Sequence, residues 1–120
     1  MAVEANPALC LRLKQRFARQ IVERRFFLIE KAIAESTGEV TFFINVDATI
    51  WGTIREDWAR RNARRGVSSE RITVPSIRFS SLIEEFGVPY YLKIDIEGAD
   101  SLCLDGLLHF ESRPRFVSFE

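Results

Sequence analysis

Cysteine is scarce: Cys10 and Cys103 are the two in 120 residues. They form no CxxC pair, and one bridge between them would be a weak framework for a secreted fold. Reduced, buried thiols are the expectation. Long apolar runs are missing as well; none approaches the ~20 residues that span a bilayer. The opening Met1-Ala2-Val3-Glu4-Ala5-Asn6-Pro7 has an early acid and no basic stretch, so it does not read as a signal peptide. The cytoplasm is the expected compartment, with no membrane partner. There is no excess of either charge: 17 basic side chains balance 17 acidic ones, which removes global steering toward nucleic acid or acidic membranes. The six glycines stand far apart, at 38, 52, 66, 87, 98 and 106, so no Gly-rich loop gathers. No HExxH, P-loop or nucleophile-elbow pattern occurs.

What is present describes one ordinary globular domain. The chain is 47% hydrophobic and 28% charged, and ten Phe, two Tyr and two Trp supply a core that a disordered chain would lack. Asn6-Pro7 reads as a helix start, Asn at the N-cap and Pro at the first helical position. Leu9, Leu13 and Phe17 follow at four-residue spacing, near Cys10 and Ile21, which predicts an amphipathic helix of about three to four turns. Phe26 to Ile29 reads as a buried strand, Val40 to Val46 as a second and Arg71 to Val74 as a short third. Asp47 to Arg55 is ambiguous, and Glu56 to Arg65 is charged and helical at best. Ser81 and Glu84 fit a capping box opening a helix that stops at Gly87. Tyr90 to Ile96 is strand-like, Ala99 to Phe110 helical, and Phe116 to Phe119 a last strand. Strands alternating with helices predict an α/β fold with a mostly parallel sheet. Such sheets bind ligands beyond the carboxyl ends of their strands, which is where Glu4, Asp95, Glu97 and Glu120 all fall.

The segment Tyr90 to Asp100 is the most informative. Side chains on a strand alternate faces, so Tyr91, Lys93, Asp95 and Glu97 share one face and Leu92, Ile94 and Ile96 the other. Unpaired charge is costly to bury, so the charged three must be paired or must face a wet cleft. The plainer alternative is a Lys93–Asp95 or Lys93–Glu97 ion pair on a solvated edge strand.

The run Leu92-Lys93-Ile94-Asp95-Ile96-Glu97-Gly98-Ala99-Asp100 resembles the signature of FkbM-type methyltransferases, in which a strand ends in Lys, Asp and Glu before Gly-Ala and an acid. Ile77 to Gly87 is similar to the same family's short helix before that strand. Leu104-Asp105-Gly106-Leu107 and Pro114 to Glu120 continue the likeness. Val3-Glu4-Ala5-Asn6-Pro7 is similar to the end of the second strand, and Lys31 to Ala34 and Gly38 to Phe42 to the third strand and the segment after it. The likeness is specific over 76–120 and looser before.

The resemblance implies one incomplete domain over 1–120: a partial Rossmann-like fold, its first strand, the Gly-rich turn after that strand, and its last strands missing. It implies S-adenosylmethionine as cofactor, with Glu4 accepting hydrogen bonds from the ribose hydroxyls and Asn6 beside it in the cofactor site. Asp95, Glu97 and Lys93 would then lie at the methyl-transfer point, acting on a hydroxyl of a sugar, polyketide or similar small-molecule or glycan acceptor. Asp95 is the first candidate for general base and Glu97 the second. A non-catalytic remnant or interaction module of the same fold is the alternative, favoured by the missing Gly-rich turn. An exposed sheet edge would promote self-association.

Weaker signals read as structure. Arg60, Arg61, Arg64 and Arg65 beside Trp58 read as a solvated helix face rather than a nucleic-acid patch. His109, the single histidine, is expected at a helix end and not at a metal, which needs several close ligands. Ser118 has no partner His for a hydrolase triad.

Overall fold

A computed structural model describes residues 1–45, 52–64, 66 and 68–119. Its elements run β1 (Ala2–Val3), α1 (Pro7–Arg16), α2 (Ala18–Val22), β2 (Leu28–Ile29), β3 (Ala32–Ile33), β4 (Gly38–Asn45), β5 (Gly52–Thr53), α3 (Glu56–Arg64), β6 (Ser69–Ile77), α4 (Phe79–Phe86), β7 (Tyr91–Ile94), α5 (Ser101–Leu107) and β8 (Phe116–Phe119). The α/β class is as expected.

The sheet departs from expectation. Among the described residues the strands form three sheets, β1–β2, β3–β6–β4–β5 and β7–β8. The pairs β1–β2, β3–β6 and β7–β8 are parallel. The longest ladder, β4 on β6 from Gly38↔Ser76 to Asn45↔Ser69, is antiparallel, as is β4 on β5. β4 finds a partner of matching length in β6, and an antiparallel ladder is slightly more stable per residue than a parallel one.

Element boundaries shift for identifiable reasons. The first helix begins where expected: Asn6 caps it, its Oδ1 accepting from the Ala8 N–H at 3.0 Å, with Pro7 at N1. It breaks at Phe17, whose ring stacks on Phe26 at 4.5 Å between centroids; packing there overrides continuation into α2. The strand expected over 26–29 shrinks to β2, and Phe27 is exposed. β6 is far longer than the expected 71–74, because Val74 and Ser76 continue one buried face past the exposed Thr73 and Pro75. The capping box at Ser81 and Glu84 does not form. α4 starts three residues earlier, where buried Phe79 anchors the core and Arg78 is held by its Nε–H to the Glu35 carbonyl and its backbone N–H to Thr37. It does stop at Gly87, whose φ of 79° lets its N–H close on the Ile83 carbonyl. The last helix is α5, shorter than the expected 99–110. The predicted 46 end of the second strand, Arg65, Glu120 and most of the ambiguous 47–55 stretch lie outside the described residues.

Two apolar clusters hold the molecule together. One joins Ile33, Ile77, Phe79, Leu82, Ile83, Ile94, Cys103 and Leu107, with Val3, Ile29 and Ile96 against it, so β1, β2 and β7 share a core with α4 and α5. The other joins Ala32, Phe42 and Val74 on one face of the β4–β6 ladder, with Ala5 and Ile54 against it. Between these clusters the carboxyl ends of β1, β2 and β7 open onto one space.

Candidate functional site

That space is a cavity of about 730 Å³. Glu4, Ala5 and Asn6 reach it from the end of β1, Lys31 from the turn after β2, and Asp95, Ile96, Glu97 and Gly98 from the end of β7. Phe42, Gly52 and Ile54 form a wall from the β4–β5 side, and α3 contributes Trp58, Arg61 and Asn62. Three of the four strand-end acids therefore meet, though Glu4 and Asp95 are far apart in sequence; the fourth, Glu120, lies outside the described residues.

Glu4 is half-buried. Its Oε1 accepts from the Asn6 N–H at 2.8 Å, the reach of one tight turn between β1 and α1. Burial raises its pKa above the ordinary 4.5, and the Asn6 and Ala5 amides oppose that rise. The same turn is fastened by the Cys10 thiol, 3.3 Å from the Glu4 carbonyl. Burial, then the Glu30 and Glu4 carboxylates, push that thiol up to about 11, so it is a structural donor. Asn6 lines the cavity, but its side chain is 1% exposed and its Oδ1 is engaged as the helix cap.

At the end of β7 the expected alternation holds through Asp95: Tyr91, Lys93 and Asp95 are exposed, Leu92 is half-buried and Ile94 is buried. It then breaks, because Glu97 takes φ 49° and Gly98 φ 87°. Asp100 ties this turn, its carboxylate oxygens accepting from the Ile96 and Gly98 N–H groups, each at 3.3 Å. Lys93 Nζ donates to Asp95 Oδ2 at 2.8 Å, the ion pair of the plainer alternative. Lys93 is exposed and lies outside the cavity lining, so the structure brings together Glu4, Asn6, Asp95 and Glu97, with Lys93 behind Asp95.

Several supporting residues were not expected at the site: Thr53 carried no signal in the sequence, and Trp58 and Arg61 were read as part of a solvated helix face but line the cavity. Thr53 Oγ1 donates to the Glu97 carbonyl at 2.8 Å across 44 residues, and itself accepts from the Arg55 N–H at 3.0 Å. The Trp58 indole lies so close to Gly98 that a Cβ there would sit 2.3 Å from its Cε2. Arg61 stacks over Trp58, guanidinium carbon 4.0 Å from the ring. The one local hint was Gly98, whose lack of a side chain marks close approach.

The expected solvated arginine face is in part an ion-pair network: Arg60 and Arg71 share Glu56. Both thiols are buried and unbridged. His109 is exposed, just beyond α5. Ser118 Oγ meets the Tyr91 hydroxyl across β7 and β8 at 2.8 Å. Among the described residues no three His, Cys, Asp or Glu side chains gather as a metal site, and no helix is long and apolar enough to cross a membrane.

The whole chain, residues 1–120, matches the family model of the methyltransferase FkbM domain. No curated protein and no solved structure matches it.

Proposed function

The chain belongs to the FkbM methyltransferase family, and on that premise we propose that it is an S-adenosylmethionine-dependent O-methyltransferase acting on a hydroxyl of a sugar, polyketide or similar small molecule. The supporting observation is the convergence of Glu4 with Asp95 and Glu97 on one cavity. Its fold reads as Rossmann-like in the respect that matters for binding: strands β1, β2 and β7, each paired in parallel, turn their carboxyl ends to a shared space.

The residues suit a sulfonium cofactor. A cavity of about 730 Å³ falls within the ~300–1,000 Å³ usual for ligand sites. Three carboxylates complement a cation and a ribose diol, and Ile33, Phe42, Ile54 and Ile96 supply apolar wall. When bound, the cofactor supplies a methyl carbon made electrophilic by its sulfonium sulfur. Glu4, held by the Asn6 amide, accepts hydrogen bonds from ribose hydroxyls. Asp95 takes the proton of the acceptor hydroxyl, which is a poor nucleophile until that proton leaves; Glu97 is the second candidate. Lys93 holds Oδ2 of Asp95, so Oδ1 is the oxygen left for the acceptor. The turn tied by Asp100 and Thr53 fixes where these carboxylates stand, and positioning supplies much of the effect in methyl transfer. The unbridged thiols suit a reducing compartment, so the cytoplasm is the proposed address.

Calorimetric titration with S-adenosylhomocysteine tests this. Binding is expected, and Glu4→Ala should weaken it about tenfold to a hundredfold, the worth of hydrogen bonds to a charged acceptor. A folded wild-type chain that gives no heat sinks the proposal and favours the non-catalytic remnant.

A further inference from the structure

Side chains of both signs line the cavity. Glu4, Asp95 and Glu97 line one part, and Arg61 of α3 lines it as well. Most neighbouring arginines are already neutralised: Arg55 by Asp57 at 2.8 Å, Arg60 by Glu56 at 2.9 Å and Arg71 by the same Glu56 at 3.7 Å. Among the described residues Arg61 has no carboxylate partner within ion-pair distance. Its guanidinium is nevertheless not loose, because it stacks 4.0 Å over Trp58. Trp58 in turn is pressed against Gly98, on the same turn as Asp95 and Glu97. Thr53, at the start of the segment leading into α3, is hydrogen-bonded to the Glu97 carbonyl. The cation is thus held at a set position relative to the carboxylates, by contacts that, among the described residues, leave its N–H fork unspent.

A held guanidinium without a counter-ion, facing a ligand cavity, matches an oxyanion. The cofactor brings one anion of its own, the carboxylate beside its ammonium, and Lys31 is a second lining cation able to take it, which leaves Arg61 for the other ligand. We propose that α3 is the acceptor-selecting wall, and that Arg61, positioned by Trp58, binds a carboxylate or phosphate carried by the acceptor, which is therefore an acidic sugar or hydroxy acid rather than a neutral alcohol. This rests on the methyltransferase reading and narrows its substrate class. Lys31, which lines the cavity from the turn after β2, is the other lining cation and serves as the comparison.

The test reads Trp58 fluorescence in a Trp51→Phe background, so that one indole reports. Glucuronate, glucose 6-phosphate and glucose are titrated in parallel, each with S-adenosylhomocysteine present and absent. The two anions should perturb Trp58 in a salt-sensitive way and glucose should not; if one anion alone binds, it identifies the oxyanion. Arg61→Gln should weaken acceptor-anion binding about tenfold, Arg61→Lys less, and Lys31→Gln little; S-adenosylhomocysteine affinity should be unchanged in both Arg61 variants, and its loss there would give Arg61 to the cofactor's own carboxylate and overturn the inference. Equal binding of glucose, anion binding indifferent to Arg61→Gln, or no response to any probe overturns the inference even where S-adenosylhomocysteine binds. Loss of S-adenosylhomocysteine binding by the parent protein instead overturns the methyltransferase reading.

Discussion

Glu4 serves opposed demands. In its proposed role as acceptor for ribose hydroxyls it must be ionised, yet burial raises its pKa. It therefore takes up a proton at a pH where an ordinary glutamate is still charged. S-adenosylhomocysteine affinity should fall as the pH is lowered through that raised value, and Glu4→Gln should remove the dependence. For the empty fold the sign is reversed. A raised carboxyl pKa contributes stability below its unfolded value that is lost as pH rises through the folded one, so Glu4→Gln should raise the neutral-pH urea midpoint while weakening cofactor binding. The thiols extend the same logic to alkaline pH. Cys10 is raised to about 11 and Cys103 to about 12, chiefly by burial. Both stay protonated in the native state when unfolded thiols ionise near 9.0, so stability should hold to about that pH and then fall through 11 to 12. Urea midpoints at pH 8 and 10.5 measure the fall, and a Cys10→Ala/Cys103→Ala chain should show a shallower one.

At the scale of elements, the site depends on two short connections. The β1–α1 turn is set by Asn6, whose buried amide caps the helix. Asn6→Ala should cost about 1–2 kcal/mol in urea denaturation. A cap loosens the helix more than it touches ligand, so the stability loss should exceed any loss of cofactor affinity. The β7–α5 turn is set by Gly98, which combines φ 87° with contact against the Trp58 ring. An alanine there must adopt a strained left-handed backbone and displace the indole. Gly98→Ala should cost about 2 kcal/mol or more, and its near-UV circular dichroism should show Trp58 displaced.

The molecule as a whole is loosely assembled. Its radius of gyration is 14.8 Å, against about 13.6 Å for a compact chain of this length. Its accessible surface is 8163 Å², against about 6,700 Å² for a folded monomer of 13.9 kDa. Part of the excess lies on the β7–β8 pair, where Tyr90, Tyr91, Phe116, Val117 and Phe119 are exposed. The self-association anticipated from the sequence is proposed to use the β8 edge of this pair, whose exposed apolar side chains stand on both faces. Light scattering of the 120-residue chain should show mass rising with concentration, and Phe116→Lys/Phe119→Lys should return it to a monomer; a monomer at all concentrations would count against the proposal.

Local chemistry was written in the sequence itself. Asn6-Pro7 specified a helix start and Gly87 a helix stop because caps depend on a few adjacent atoms. The period-two pattern from Tyr91 to Asp95 specified a strand with its charges on one side, and the run ending in Glu97-Gly98-Ala99-Asp100 pointed to the family. The tertiary structure decided what these pieces meet. Whether Lys93 served the cavity or paired with Asp95 was a question of a few ångströms. The partner of β4 was chosen by ladder length and burial against β6, not by local propensity. The wall made by Thr53, Trp58 and Arg61 packs against a turn some 40 residues away, and no local pattern encodes a contact whose two halves are joined only by closing a long loop.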